Sequence, residues 1–342
     1  MTSQSVRNAA AGPDLNHRDP EYLNLIRETK SRLLSVYPQT QSGWHAYLLG
    51  GSGTLAVEAM ITSLIDKGPV LVLENGYYSS RVREILEIHK IPIVAVTHDW
   101  LEELDFDRIE NALRNGLEAV VVVHNETTTG RLNDIGRLGA LCRENGAKCL
   151  VDAMSSFGAD PIDFTNLDAV CASGNKCLHA IPGVAFVLVR ENIVSEMDTV
   201  PRQSYYMSLP LYAGDAPPLT PPVPSLAALR QALREYPTDG VAGRHADYTR
   251  KAQFIRKQLV ARGFMSPISF DGQTCTLSMF NIPSGLTFDR WFDLNLEAGF
   301  VIYGCKGWLR EKYFQIANMG ELSMAQIESW VESVDAVLAD RR

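Results

Sequence analysis

The sequence predicts an α/β protein: a mainly parallel sheet with helices on both sides, followed by a smaller α+β lobe. Three observations carry this. Short apolar runs recur without polar alternation, amphipathic segments separate them, and a Pro-rich stretch ends the pattern before longer helices begin. A strand that is apolar on both faces needs helices covering both, as in a parallel sheet.

The runs are PVLVLEN (69–75), IPIVAV (91–96), EAVVVVHNE (118–126), AKCLVDAM (147–154), AVCASG (169–174) and VAFVLVR (184–190). Between them SSRVREILEIHK (79–90), FDRIENALRN (106–115) and IGRLGALCRENG (135–146) have helical spacing. Ligands of such sheets gather at the carboxyl ends of the strands. That singles out Asn75 to Tyr78, His124 to Gly130, Asp152 and Lys176. GDAPPLTPPVPS (214–225) reads as a stiff, extended connector. Helical segments at 226–236 and 243–263 follow, then strands at 274–282 and 313–318 around a helix near 287–298, and a closing helix at 323–341. The expected organisation is a large domain over 1–225, including the connector, and a small α+β domain over 226–342.

Composition narrows the function. Net charge is −8 with no basic tract, which argues against nucleic acid and anionic membranes as partners. The longest apolar run is too short to span a bilayer, and the N-terminus lacks an apolar signal core. Six cysteines show no CxxC pair and no zinc spacing, so no metal is expected, and reduced thiols in a cytoplasmic protein are the simplest reading.

Three features carry chemistry. GGSGT (50–54) precedes a helical segment, where glycine allows close approach and free N–H groups attract anions; a Gly-Ser turn that merely caps a helix is the plain alternative. Asp152 ends a buried strand, where a carboxylate is costly unless paired. Lys176 stands alone in the small, apolar run CASGNKCLHAIPGVAFVLV (171–189); desolvation would favour a neutral amine able to form imines. Phosphate turn, strand-end carboxylate and lysine, in this order, suit pyridoxal 5′-phosphate. His124 reads more simply as a satisfied strand-end histidine than as an acid–base group, and Glu126 equally as a structural cap.

The stretches GGSGTLAVEA, HNETTTG, VDAMSSFGADPID, SGNKCLHAIPG, VIYGCK and IANMGE resemble class V, fold-type I pyridoxal phosphate enzymes. The similarity is greatest to the 2-aminoethylphosphonate:pyruvate aminotransferase branch and more distant to alanine:glyoxylate aminotransferases. It implies a seven-stranded-type sheet and a homodimer with shared active sites. It implies further that Lys176 forms the Schiff base and shuttles the proton, that Asp152 pairs with the pyridine nitrogen, and that Ser52, Gly53 and Thr54 hold the phosphate with help from Ser173. Tyr78 falls where an aromatic stacks on the ring, with a plain packing aromatic, Tyr77 then being the exposed neighbour, as the alternative. Thr128 falls where a hydroxyl meets the ring, although the run of threonines leaves 127, 128 and 129 open. Thr220 matches a threonine that reaches the phosphate of the partner subunit's cofactor.

The resemblance also has gaps. Where the family carries an arginine for the substrate's carboxylate or phosphonate, YFQIANMGE places Gln315, which has no permanent charge. The family's N-terminal TPGP arm has no counterpart, and the connector is shorter and richer in proline. Lys306, Arg310 and Lys312 are alternative anion partners, with a solvated loop as the plain reading. The expected activity is transamination between a small amine or amino acid and a keto acid. The absent arginine motivates a lyase or decarboxylase acting on an atypical amino acid as the alternative, and a cofactor-free scaffold is the non-enzymatic one.

Overall fold

The computed structural model describes residues 2–339. Helices α1 (Gln4–Ala10) and α2 (Pro20–Leu34) lead into strand β1 (Trp44–Gly50) and helix α3 (Gly53–Leu64). Alternation follows: β2 (Val70–Glu74), α4 (Tyr77–Ile88), β3 (Ile93–Thr97), α5 (Phe106–Leu113), β4 (Ala119–Val123), a small hairpin of β5 (Asn125–Glu126) and β6 (Arg131–Leu132), α6 (Ile135–Glu144), and β7 (Lys148–Asp152). Strands β8 (Ala169–Ser173) and β9 (Val184–Arg190) and the short α7 (Glu191–Val194) complete this part.

These strands form one seven-stranded sheet in the order β1-β9-β8-β7-β4-β2-β3. The inner pairs, such as Val123↔Asp152 and Asp152↔Cys171, are parallel, while β9 runs antiparallel to both β8 and β1. Both faces are buried, and alternate residues of each strand serve opposite cores. Leu71, Val120, Val122, Val151 and Phe186 face one. Val72, Val121, Leu150, Cys171 and Val187 face the other. That is why these strands read as unbroken apolar runs. The chain reversal at β9 places the ends of β1, β2, β4, β7 and β8 and the start of β9 along one edge, where the loops 51–54, 75–78, 124–130, 153–155, 174–176 and 182–183 meet.

Helix α8 (Val223–Arg234) begins inside the Pro-rich stretch, with proline in its first turn. The boundary expected at 225/226 thus falls within this helix. Its Leu226, Leu229 and Leu233 belong to the core beneath the large sheet, against Val6, Tyr22 and Leu25. After α9 (Gly240–Ala261) come β10 (Leu277–Asn281), α10 (Phe288–Glu297), β11 (Tyr303–Gly304), β12 (Tyr313–Ala317) and α11 (Met324–Ala339). The antiparallel sheet β10-β12-β11 packs on helices through Phe280, Phe314, Trp291 and Trp330, with Ile255 of α9 closing the same core.

Candidate active site

The strand-end loops enclose a cavity of about 480 Å³ lined by Ser52, Gly53, Thr54, Tyr78, Arg81, Asn125, Thr127, Asp152, Ser173 and Lys176. A second cavity of about 880 Å³ opens toward the small sheet and is lined by Tyr78, Thr127, Lys176, His179, Lys306 and Gln315. Lys176 lines both. It is half-buried rather than buried, so the full desolvation expected from its apolar surroundings is not met: the turn that carries it opens between the two spaces.

Asp152 ends β7 and is 6% exposed. One carboxylate oxygen, Oδ1, accepts the Met154 N–H at 2.9 Å. Burial, helped by the charge of Glu126, pushes its pKa up to about 6, while the Met154 N–H and Arg81 pull the other way. Ser52 is the N-cap of α3 but makes no side-chain capping bond, which leaves its hydroxyl and the first N–H groups of the helix facing the cavity. A Cβ at Gly53 would overlap the Met154 thioether, so a larger residue at this turn would have to displace the Met154 side chain.

Arg81 is a residue that sequence reading missed. It sits one turn into α4 and reaches Thr54 Oγ1 at 3.4 Å, with Tyr78 and Tyr77 under its guanidinium at 5.1 and 5.4 Å. In the sequence it is one of two arginines in an amphipathic helix, so nothing marked it as the one facing inward.

Glu126 organises the wall. Its Oε2 accepts the N–H groups of Tyr78 (3.2 Å) and Ser79 (3.1 Å), and its Oε1 accepts the N–H (3.0 Å) and hydroxyl (2.6 Å) of Thr128. A carboxylate at a helix N-terminus is the favourable sign of charge. Gly76 is required here, because a Cβ would overlap the Glu126 side chain. This corrects the expectation for Thr128. Its hydroxyl is fully buried, donating to Glu126 and accepting from the Tyr77 N–H, and it is Thr127 that lines both cavities. Tyr78 rather than the exposed Tyr77 lines the cavities.

His124 is the satisfied strand-end histidine of the plainer reading. It bonds Ser156 through Nδ1 at 2.9 Å, and burial pushes its pKa down to about 4. Gln315 is 6% exposed, and its amide nitrogen donates to the carbonyls of Thr127 (2.5 Å) and Thr128 (2.9 Å). Arg310 is directed elsewhere: it pairs with Asp289 at 2.7 Å over the Phe288 ring and lines neither cavity. Lys306 lines the larger cavity from an exposed position. Thr220 is exposed on the connector, outside both cavities. Asp160, His245 and Cys275 approach one another elsewhere. They are occupied, however: Asp160 accepts from Thr274 Oγ1 and the Cys275 N–H, and His245 Nδ1 donates to the Ala159 carbonyl.

The smaller cavity fits pyridoxal phosphate. It offers an amine, a carboxylate with one oxygen free of backbone bonds, an aromatic ring, and an uncapped helix N-terminus beside a guanidinium for the phosphate.

Known proteins resemble this chain in sequence and in fold. The profile of the family described as aminotransferase class-V matches residues 49–288. A 2-aminoethylphosphonate–pyruvate transaminase of Phocaeicola vulgatus is 30% identical over 98% of this chain and 96% of its own. A bifunctional phosphonoacetaldehyde hydrolase/aminoethylphosphonate transaminase of Clostridioides difficile is 32% identical over 98% of this chain, which spans 54% of that longer relative. The fold matches alanine–glyoxylate aminotransferase from Nostoc sp. with a TM-score of 0.92 at 24% identity, covering 98% of this chain and 92% of that one. It also matches pyridoxamine–pyruvate aminotransferase from Mesorhizobium loti with a TM-score of 0.91 at 22% identity, covering 99% and 89%. The chain belongs to the class-V aminotransferase family and is a pyridoxal phosphate-dependent transaminase.

Proposed function

We propose that this transaminase moves an amino group from a small primary amine or amino acid to a keto acid, with 2-aminoethylphosphonate and pyruvate, named in its relatives, as the first pair to test. The observation that carries the reading is Lys176 on the wall between the two cavities, reachable by cofactor from one side and by substrate from the other. The cofactor, when bound, supplies an electron sink for the carbanion left as the Cα proton departs.

Each residue then has a task. Lys176 Nζ is the attachment point and afterwards the base that moves the proton. The Asp152 carboxylate would hold the pyridine nitrogen's proton through the oxygen that accepts no backbone N–H. Ser52, Gly53 and Thr54 would hold the phosphate at the start of α3, with Ser173 on the same cavity and Arg81 to offset its charge. Tyr78, whose N–H is held by Glu126, and Thr127, whose carbonyl is held by Gln315, would line the space for the ring. The exposed Thr220 serves the phosphate of a second copy, which makes the working unit a homodimer with shared sites. Six cysteines, all free and buried, support a cytoplasmic setting, and among the described residues no helix is long and apolar enough to cross a membrane.

The relatives are transaminases, so elimination is not the favoured chemistry. Titrating the holoenzyme with amines and no keto acid tests this. One equivalent of amine should convert the visible cofactor band and then stop, whereas repeated turnover without keto acid would overturn the proposal.

A further inference from the structure

Gln315 extends from β12 into the larger cavity with its amide orientation fixed. Both hydrogens of Nε2 are taken, by the carbonyls of Thr127 and Thr128. The opposite orientation would set oxygen against two oxygens, so the assignment follows from the partners. Among the described residues nothing donates to Oε1, and the atom is not sealed in the core. Gln315 therefore meets this cavity as an acceptor.

Among the described residues the lysines lining this cavity are Lys176 and Lys306, and neither bonds Gln315. His179 is engaged by Tyr248 and Arg244, and burial beside Arg244 pushes its pKa down to about 3, so its ring is neutral. Lys306 stands at an exposed position, Arg310 is paired with Asp289, and Lys176 belongs to the chemistry.

We propose that Gln315 is a specificity-determining residue whose Oε1 selects an amine whose far end carries a hydrogen-bond donor, a hydroxyl, amide or ammonium, over one ending in carboxylate or phosphonate. An anionic end would leave its hydration to face a carbonyl oxygen, an unpaired acceptor against an acceptor. A hydroxyl or ammonium end completes the amide's bonding instead. This inference rests on the transaminase reading of the same cavity and narrows its substrate.

The test compares two amines of equal chain length, 2-aminoethanol and 2-aminoethylphosphonate, on the holoenzyme. Apparent dissociation constants come from the shift of the cofactor band, and KM and kcat from turnover with pyruvate. Binding of the amine-free probe ethylphosphonate, which has no hydroxyl for Oε1 to accept, is measured separately by calorimetry. The native protein should bind 2-aminoethanol more tightly. Gln315→Arg, which can still donate to both carbonyls, should tighten both phosphonates about 10-fold or more, in KM rather than kcat. Gln315→Met should erase the preference, with a melting curve confirming its fold. The inference is overturned if the native protein prefers 2-aminoethylphosphonate, or if Gln315→Arg gains nothing on either phosphonate. The transaminase reading fails separately, if no amine shifts the band in any variant; the calorimetric comparison still decides the role of Gln315 in that event.

Discussion

Asp152 makes the cofactor-free protein less stable at neutral pH than at mildly acidic pH. Its carboxyl titrates at about 6 in the folded protein, against an ordinary value of 3.8, because burial penalises the charge and Glu126 adds to that penalty. Between those values the folded chain holds a proton that the unfolded chain has released. Protonation thus favours folding, and the contribution is complete below the unfolded value and lost as pH rises through the folded one. An interval from 3.8 to about 6, at about 1.4 kcal/mol per pH unit, amounts to roughly 3 kcal/mol. The experiment is urea unfolding of cofactor-free native protein and Asp152→Asn at intervals from pH 4 to pH 8. Taking the difference cancels the carboxylates that do not interact with Asp152, while Glu126, which does, remains part of the measured effect. The variant should gain on the native protein across this window by up to roughly 3 kcal/mol and then level off. Adding pyridoxal phosphate should flatten the slope in the native protein alone, since a pyridinium partner favours the charged carboxylate. A difference that stays constant across the window would refute the reasoning.

Lys176→Ala should abolish transamination while leaving the melting temperature within a few degrees of native, because the side chain is half-buried and makes no hydrogen bond or ion pair among the described residues; turnover at native rates would remove Lys176 from the mechanism. Gly76→Ala should cost about 1–3 kcal/mol in denaturant unfolding, since the added methyl meets a carboxylate pinned by four hydrogen bonds. Arg81→Ala should weaken pyridoxal phosphate binding about 10- to 100-fold, the worth of a charge-assisted bond to phosphate, as read by fluorescence titration. An unchanged constant would place the phosphate away from α4.

The sheet was legible because its strands bury both faces, and six of the seven strands appear as apolar runs. β1 escaped notice: WHAYLLG mixes His45 with apolar residues, as befits an edge strand with an exposed position. Lys176 and Asp152 were legible because each ends or follows an element whose period is clear, and the Ser52–Thr54 turn because a clear helical period begins there. Thr127 against Thr128 was not, since a run of like residues gives no sign of which one Glu126 draws inward. Arg81 was hidden among surface-type charges, and the membership of α8 was hidden because prolines suggest a linker while Leu226, Leu229 and Leu233 decide the packing.

The position of Lys176 between two cavities separates two kinds of traffic. In the proposed mechanism amines and keto acids would use the space beside the small sheet, and the cofactor's phosphate the other. Reactants thus exchange at every catalytic cycle without a route past the phosphate cradle. A bulky molecule lodged against Gln315 and Lys306 would compete with the amine yet leave the prosthetic group in place, so inhibition and cofactor loss should have independent kinetics.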